Sequence, residues 1–193
     1  FAYNSSGQSP TPSILTTKAQ IGSTWGLAYA RSTKILYAAA FLKRHVGLGP
    51  NGLGAIYAVN VNSGVPTLFA DLTALGVDVG TVLSNSTRGL GAPTAPSNDP
   101  TTYGQIGKVG LGDIDISDDE RTLYVVSLND KTLYALDAPA GTLAGSYAIP
   151  DPGCTGGAWR PFATKYKSSA LYVGGVCDAQ TSQSAANLGA YIY

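Results

Sequence analysis

The chain has 193 residues, 44% of them hydrophobic, and its 12 Lys and Arg residues balance 12 Asp and Glu residues to a formal net charge of zero. This apolar content supports a folded core and excludes a disordered chain. Without a basic field, and without a stretch near the roughly 18 apolar residues that span a bilayer, the sequence predicts neither nucleic-acid binding nor membrane insertion.

The composition favours an extracellular protein. Charged residues are only 12% of the chain, roughly half the fraction of an ordinary cytosolic domain. The chain has 24 Gly and 12 Tyr, contains no Met and starts at Phe1. We therefore expect a processed or truncated piece of a secreted, cell-surface protein whose signal peptide has been removed.

The first part of the chain reads as one four-stranded unit, over about residues 13–71. Residues 24–30 and 35–41 are apolar runs joined by a polar turn, and further strands are predicted near residues 56–57 and 67–71. Before them, residues 1–12 are either a tail or contain a lone strand at residues 1–3, and residues 13–19 are a candidate short strand.

A long insertion follows, over about residues 76–106, rich in Gly, Pro, Ser, Asn and Thr. At most a short helix precedes it, near residues 71–75. The second unit, residues 107–150, is the best formed. Residues 112–127 read as strand, polar turn and strand, and a second hairpin and a fourth strand near residues 144–149 complete a sheet.

The third unit covers residues 154–193, with strands expected at 159–166 and 170–176, another at 191–193, and no fourth strand. A Leu-Tyr pair recurs at residues 36–37, 123–124 and 171–172, and the last two copies are spaced like propeller blades. This repeat predicts an all-β fold of four-stranded antiparallel β-propeller blades, with about three blades in one region over residues 1–193. A β-sandwich would leave the repeat unexplained.

Three blades do not close a ring, since propellers ordinarily have about four to eight. We therefore expect a partial propeller or one completed by another chain, and two copies would give six blades. The missing strand of the third blade would come from residues 1–3, from residues 13–19 or from sequence outside this chain.

The two cysteines, Cys154 and Cys177, flank the predicted hairpin of the third unit. Folding this hairpin places them within a few positions of facing each other, which predicts a disulfide in an oxidising compartment. The alternative is two unrelated buried thiols. No CxxC motif or nearby His indicates a metal or redox site.

Residues 112–127, with the motif SDDERTLYV, resemble the strand-turn-strand of YVTN-type and related bacterial β-propellers. Residues 22–29, 38–45 and 109–117 are similar to a propeller segment of large bacterial surface proteins, often followed by immunoglobulin-like domains similar to serine-aspartate-repeat B domains. The resemblance spans most of the chain outside the insertion. It implies secretion, adhesion or surface assembly rather than catalysis.

Candidate binding residues are few. If first strands line a central channel, Trp25, Asp113 and Arg160 lie at comparable positions of the three blades and either bind a small ligand such as a glycan or plug the channel. The basic loop of Lys43, Arg44 and His45 is either a contact patch for an anionic group or a solvated loop. His45 is the sole histidine, and no GxSxG motif supplies a nucleophile.

The acidic cluster around residues 113–120 raises the alternatives of calcium binding or plain turn chemistry. Turn chemistry is favoured because no EF-hand spacing follows. We therefore predict no metal, cofactor or catalytic residue.

The sequence predicts a non-catalytic, extracellular structural or interaction protein that mediates adhesion or self-assembly. Its partners would be other protein chains, either copies of itself or the rest of the same propeller. The alternative is a fragment of a propeller enzyme, lactonase-like or glycan-acting, with a ligand or metal site at the channel mouth.

Overall fold

The computed structural model of the protein describes residues 14–92 and 94–193. Over those residues the chain forms eleven β-strands and two short α-helices, and the strands make three separate antiparallel sheets. The all-β class and the four-stranded antiparallel blades predicted from the sequence are confirmed. Each sheet is called a blade below.

Blade one contains β1 (Thr24–Ala30), β2 (Ile35–Ala40), β3 (Ala55–Asn60) and β4 (Pro66–Asp71) in that spatial order. The short helix α1 (Lys18–Ile21) precedes it.

Blade two repeats this order with β5 (Leu111–Ile116), β6 (Thr122–Ser127), β7 (Thr132–Asp137) and β8 (Leu143–Ala148). The helix α2 (Pro100–Tyr103) lies in the insertion between blades one and two.

Blade three has β9 (Trp159–Lys167), β10 (Ala170–Cys177) and β11 (Gly189–Ile192), in the order β11-β10-β9. A 3-10 turn at Ala185–Asn187 precedes β11. In the part of the chain that the structure describes, no fourth strand pairs with β11. Its outer edge therefore offers unpaired backbone groups.

Where the sequence allowed at most a short helix, residues 72–75 form a turn, in which the Leu75 N–H donates to the Asp71 carbonyl at 3.0 Å. One local prediction was wrong. Residues 14–19 form no strand, because the Thr17 N–H donates to the Gln20 side chain at 2.9 Å and starts α1. Residue 13 and the alternative strand at residues 1–3 lie outside the described residues.

The first strands of the blades stand side by side, β1 next to β5 and β5 next to β9. Glycine permits this close approach. A Cβ atom at Gly26 would lie 2.7 Å from the Ile114 nitrogen, and one at Gly112 would lie 2.8 Å from the Phe162 carbonyl oxygen. Successive sheets therefore pack face to face with their first strands innermost, which is the arrangement of propeller blades.

A β-bulge recurs in all three first strands and fixes which residues are equivalent. Each first strand has one more residue than its partner over the same stretch, between Thr24 and Leu27 in β1, between Leu111 and Ile114 in β5, and between Pro161 and Ala163 in β9. By this register Leu27, Ile114 and Thr164 occupy one structural position.

The cores lie between the blades. Buried residues of blade one, including Tyr37 and Ile56, pack against Ile114, Leu123 and Val125 of blade two. The second core joins blades two and three, where Leu128 and Leu133 pack with Val173. The apolar faces between blades one and two and between blades two and three are therefore buried.

Candidate functional site

A buried ion pair fastens the long insertion to the loop between β2 and β3. The Nη2 atom of Arg88 lies 2.7 Å from Oδ2 of Asp99, and both side chains are completely buried. The same Nη2 atom donates to the carbonyls of Lys43 and Val46, at 2.8 Å and 3.2 Å. One guanidinium thus joins the insertion to two backbone groups of the loop.

The Asp99 carboxylate is satisfied by donors from three directions. It accepts hydrogen bonds from Arg88, from the Thr102 hydroxyl at 2.6 Å and from the His45 N–H at 3.1 Å. The hydrogen bonds from Arg88 hold the pKa of Asp99 well below its usual range, and they outweigh the opposing effect of burial. Asp99 is therefore an anchor that stays ionised.

The predicted contact loop faces this insertion. The Nε atom of Arg44 donates to the Asp99 carbonyl at 3.1 Å, and its guanidinium carbon lies 5.7 Å from the centre of the Tyr103 ring. Lys43 lies elsewhere, with Nζ 5.8 Å from the centre of the Trp25 ring. Contact with an external anionic group stays a prediction.

His45 has a partner that the sequence analysis missed. Its Nδ1 atom lies 2.8 Å from the Ser97 hydroxyl, the separation of a nucleophile and its base. A working pair also needs a third group to orient the imidazole, and no carboxylate side chain of the described residues hydrogen-bonds the ring. The Ser97–His45 contact therefore reads as part of the attachment of the insertion.

The three channel-mouth residues do not share one level of the sheets. By the common bulge, Trp25 is equivalent to Gly112 and Phe162, whereas Asp113 is equivalent to Gly26 and Ala163. Arg160 directly precedes Pro161, which is equivalent to Thr24 and Leu111, so it shares a position with neither Trp25 nor Asp113.

The comparable positions predicted from the sequence were wrong. Asp113 lies one position further along its strand than Trp25, and Arg160 lies two positions earlier, because only four residues separate Tyr166 from Leu171 in blade three where six separate Tyr29 from Leu36 in blade one. Ligand binding by these residues stays a prediction.

Asp113 and Arg160 each have local partners. The Oδ2 atom of Asp113 accepts a hydrogen bond from the Thr164 N–H at 3.2 Å, and burial raises the pKa of Asp113 against the opposing effect of that bond. Arg160 pairs with Asp178 instead, with 2.8 Å between Nε and Oδ2.

Trp25 belongs to an aromatic cluster that links blades one and three. The rings of Trp25, Phe41 and Phe162 are mutually in contact, with 5.7 Å between each pair of centroids. The Trp25 side chain is nevertheless more than half exposed. The cluster therefore connects blades one and three and still leaves the Trp25 indole accessible to solvent.

The acidic residues of blade two have separate structural partners. Glu120 accepts the backbone N–H groups of Arg31 at 2.7 Å and Ser32 at 3.0 Å, which ties the first turns of blades one and two together. Asp115 pairs with Lys165 of blade three at 2.7 Å. In residues 14–92 and 94–193, no three His, Cys, Asp or Glu side chains form a group suited to a metal ion.

The disulfide predicted between Cys154 and Cys177 is confirmed, with 5.3 Å between the Cα atoms. The geometry differs from facing hairpin strands, because Cys177 pairs with Trp159 in the sheet. Cys154 reaches it from a loop in which the Asp151 side chain accepts the N–H groups of Gly153 and Cys154, each at 2.9 Å. The bond ties this loop to the end of β10.

Asp178 is the second anchor at that end of blade three. Its carboxylate accepts the Ala158 N–H at 2.9 Å, the Gln180 N–H at 3.2 Å and the Arg160 guanidinium. Burial pushes the pKa of Asp178 upward, but these hydrogen bonds outweigh it and lower the pKa to about 2.

This lowered pKa predicts a local loss of stability in acid. An unfolded Asp has a pKa of about 3.9, so the stabilisation is complete above that pH and is lost as the pH falls toward 2. We expect the difference in unfolding midpoint between the wild type and Asp178→Asn to shrink from pH 5 to pH 2, measured by denaturant titration. A difference that stays constant over this range would contradict the prediction.

Blade three has an open face, which consists of Tyr172, Val176 and Ile192 with Ala163 beside them. Val176 is 47% exposed, although the equivalent residues Phe41 and Leu128 are only 6% and 2% exposed. A cleft of about 680 Å³ lies on this face and is lined mainly by apolar groups.

The same contrast holds along β11. Ile192 is 76% exposed, whereas its equivalents Ile56 and Leu133 are 0% and 4% exposed. These two residues are buried because the next blade packs on them. The open face of blade three is therefore an interblade face without a following blade among the described residues.

Blade one has the complementary open face, which consists of Leu27, Tyr29 and Leu68. Leu27 is 53% exposed, whereas the equivalent Ile114 of blade two is 2% exposed. Elsewhere on the same face of this sheet, Ile21 of α1 packs on the buried Tyr57. The exposed strip is therefore the part of the face that α1 leaves uncovered.

The structure thus defines a β-propeller-type repeat protein. Its described residues form three consecutive blades with innermost first strands, and they leave an apolar face open on blade one and another on blade three. Over the residues described, no helix has both the length and the hydropathy to cross a membrane.

No protein-family model matches the chain. It is similar to colossin-A of Dictyostelium discoideum, with 33% identity over 94% of this chain, and to colossin-D of the same organism, with 28% identity over 88% of this chain. The chain spans only 2% of the length of colossin-A and 18% of colossin-D. The bacterial origin and YVTN type expected from the resemblance stay predictions.

Two solved structures show a distant likeness. A luciferin-regenerating enzyme shares 12% identity at a TM-score of 0.46, over 89% of this chain and 43% of that one. A chain of a mitotic checkpoint complex shares 11% identity at a TM-score of 0.41, over 98% of this chain and 47% of that one. Similarity at this level indicates neither a family nor an activity.

Proposed function

We propose that the chain is a non-catalytic, extracellular structural or interaction module that binds other protein chains through its open blade faces. The observation that carries the proposal is the exposure of Val176 and Ile192 at positions that are buried in blades one and two. Apolar side chains arranged as an interblade face are suited to a further β-sheet. Adhesion or assembly at a cell surface is the setting that we propose for it.

The extracellular setting draws support from the disulfide and the composition. The bond between Cys154 and Cys177 is of a kind that persists in oxidising compartments. The low charged fraction and abundant Gly and Tyr fit a neutral, turn-rich surface.

The non-catalytic role draws support from how the candidate chemical groups are used. Asp113, Asp115 and Glu120 bond to neighbouring blades, and Arg160 is paired with Asp178. The enzyme alternative requires an acid pair or a metal in the channel. A glycan ligand at the exposed Trp25 indole is retained as a secondary proposal, because aromatic faces stack on apolar faces of other molecules.

Site-specific photo-crosslinking tests the proposal. A benzophenone side chain is placed at Val176 on the open face of blade three, or at Val65 in the turn before β4, which is 59% exposed and serves as the matched control. Protein secreted by the producing cells is irradiated, and adducts are identified by mass spectrometry. We expect protein adducts at position 176 that excess unmodified chain suppresses.

Adducts at position 176 no more frequent than at position 65 would overturn the proposal. Adducts to any protein chain, whether the same or a different one, support it.

A further inference from the structure

We infer that the partner at the open faces is a second copy of this chain, with the open face of blade three of each copy docked on the open face of blade one of the other. The inference rests on the proposed function and names its partner.

The contact between blades two and three shows the geometry that we infer for the contact between two copies. Tyr124 of β6 stacks on Tyr166 of β9 with ring centroids 5.7 Å apart and an interplanar angle of 8°. By the strand register, Tyr124 is equivalent to Tyr172 in blade three, and Tyr166 is equivalent to Tyr29 in blade one. The chain therefore carries both halves of this stack again, one on each open face.

The contact between blades one and two follows the same rule. Tyr37 of β2 occupies the Tyr124 position, and Ile116 of β5 occupies the Tyr166 position, and both belong to one hydrophobic cluster. At each junction a second-strand Tyr of one blade meets an apolar first-strand residue of the next. Within residues 14–92 and 94–193, Tyr172 and Tyr29 are the members of this series that stack on no other ring, and each is at least 40% exposed.

The remaining side chains of the two faces suit each other in chemistry. Blade three offers Val176 and Ile192 beside its cleft, and blade one offers Leu27 and Leu68. All four are apolar. Of the charged residues that also line the cleft, Arg160 and Asp178 are paired with each other, and the Nζ atom of Lys108 donates to the Gln180 side chain at 2.6 Å. The docked faces would continue the series of interblade interfaces that the chain already forms twice.

Docking of two copies also closes a ring. The described residues of each copy form three blades, and the resulting six lie within the usual range of about four to eight. A two-fold axis along the channel makes the two junctions identical, so the open faces of blades one and three are both covered. We therefore infer a closed dimer rather than an open filament.

Cross-linking between engineered cysteines tests this arrangement. Tyr29→Cys and Tyr172→Cys are made separately, and a short bis-maleimide is added to each protein and to their mixture. The native cysteines are already paired. We expect a covalent dimer in the mixture and none in either variant alone. The double variant should yield a cross-linked dimer without longer products.

Light scattering during size-exclusion chromatography provides a second readout. The wild type should have about twice the 19.8 kDa mass of one chain. Val176→Asp should raise the dimer dissociation constant by about 30-fold or more, as expected when a buried apolar contact becomes a charge. Val65→Asp should leave the constant unchanged.

Cross-linking in either single variant, or a ladder of longer products in the double variant, would overturn the closed arrangement. A monomeric wild type would also overturn it. If such a monomer still forms photo-adducts with a different protein at position 176, the proposed function stands and the second copy is excluded as its partner.

Discussion

Replacing Arg88 with methionine is expected to lower the free energy of unfolding by about 3–5 kcal/mol. The Asp99 carboxylate would lose the guanidinium 2.7 Å away while it stays fully buried, so an uncompensated charge would remain in the core of the insertion. Two part-buried carbonyls, those of Lys43 and Val46, would lose this donor as well. Equilibrium denaturation in urea at pH 7 measures the change.

The ion pair of Lys165 with Asp115 provides the control, because its cation is exposed and Asp115 would keep the hydrogen bond that it accepts from the Tyr166 N–H at 2.7 Å. The Lys165 side chain is 68% exposed, so Lys165→Met should cost less than about 1 kcal/mol. The double variant Arg88→Met/Asp99→Leu should lose less than Arg88→Met alone, because it removes the orphaned charge together with its partner. Equal losses in Arg88→Met and Lys165→Met would contradict the assigned role of the pair.

The pH dependence of this effect has a definite sign. Because its hydrogen bonds lower the pKa of Asp99, its contribution is complete above the unfolded value of about 3.9 and declines only as the pH falls below it. In Arg88→Met the buried carboxylate has lost its cation, so burial should raise its pKa and it should take up a proton at a higher pH than in the wild type. The cost of Arg88→Met should therefore be largest near pH 8 and should shrink as the pH falls through the raised pKa of the variant.

The strands could be predicted because their signals are local. Alternation and turn residues place β5 and β6 correctly, since Ser117 accepts the N–H groups of Arg121 and Thr122 and closes the turn between them. The number of blades followed from the recurrent Leu-Tyr pair. Periodicity and turn chemistry are properties of neighbouring residues, so a single sequence displays them.

The site residues could not be predicted because their partners are distant. Nothing in the sequence marks Arg88 or Asp99 as a pair, since both lie in a stretch that reads as a polar insertion. The channel-mouth alignment failed for a related reason. The connection between the first and second strands is two residues shorter in blade three than in blades one and two, and the positions counted back from the Leu-Tyr pair do not reveal this difference.

The disulfide prediction was right in its pairing and incomplete in its geometry. The predicted pairing of residues 159–166 with residues 170–176 placed Cys154 near Cys177, but it treated the residues before β9 as a continuation of that strand. In the structure Asp151 folds them into a loop by accepting two backbone N–H groups, and this loop carries Cys154 to the end of β10.

Removing this disulfide is expected to cost about 3 kcal/mol of unfolding free energy. The bond closes a loop of 23 residues in sequence separation, which limits the freedom of the unfolded chain across most of the β9–β10 hairpin. The double variant Cys154→Ala/Cys177→Ala and the wild type under reducing conditions should lose similar amounts.

The loss of stability should be largest in blade three, where the fluorescence of Trp159 can report it. Trp159 is 1% exposed, pairs with Cys177 and contacts the rings of Tyr191 and Tyr193. The chain has two Trp residues, so Trp25→Phe leaves Trp159 as the sole reporter. Its unfolding transition should move to lower urea in the reduced protein, and reductant should not change the alanine double variant. A double variant as stable as the oxidised wild type would show that the loop and β10 hold together without the bond.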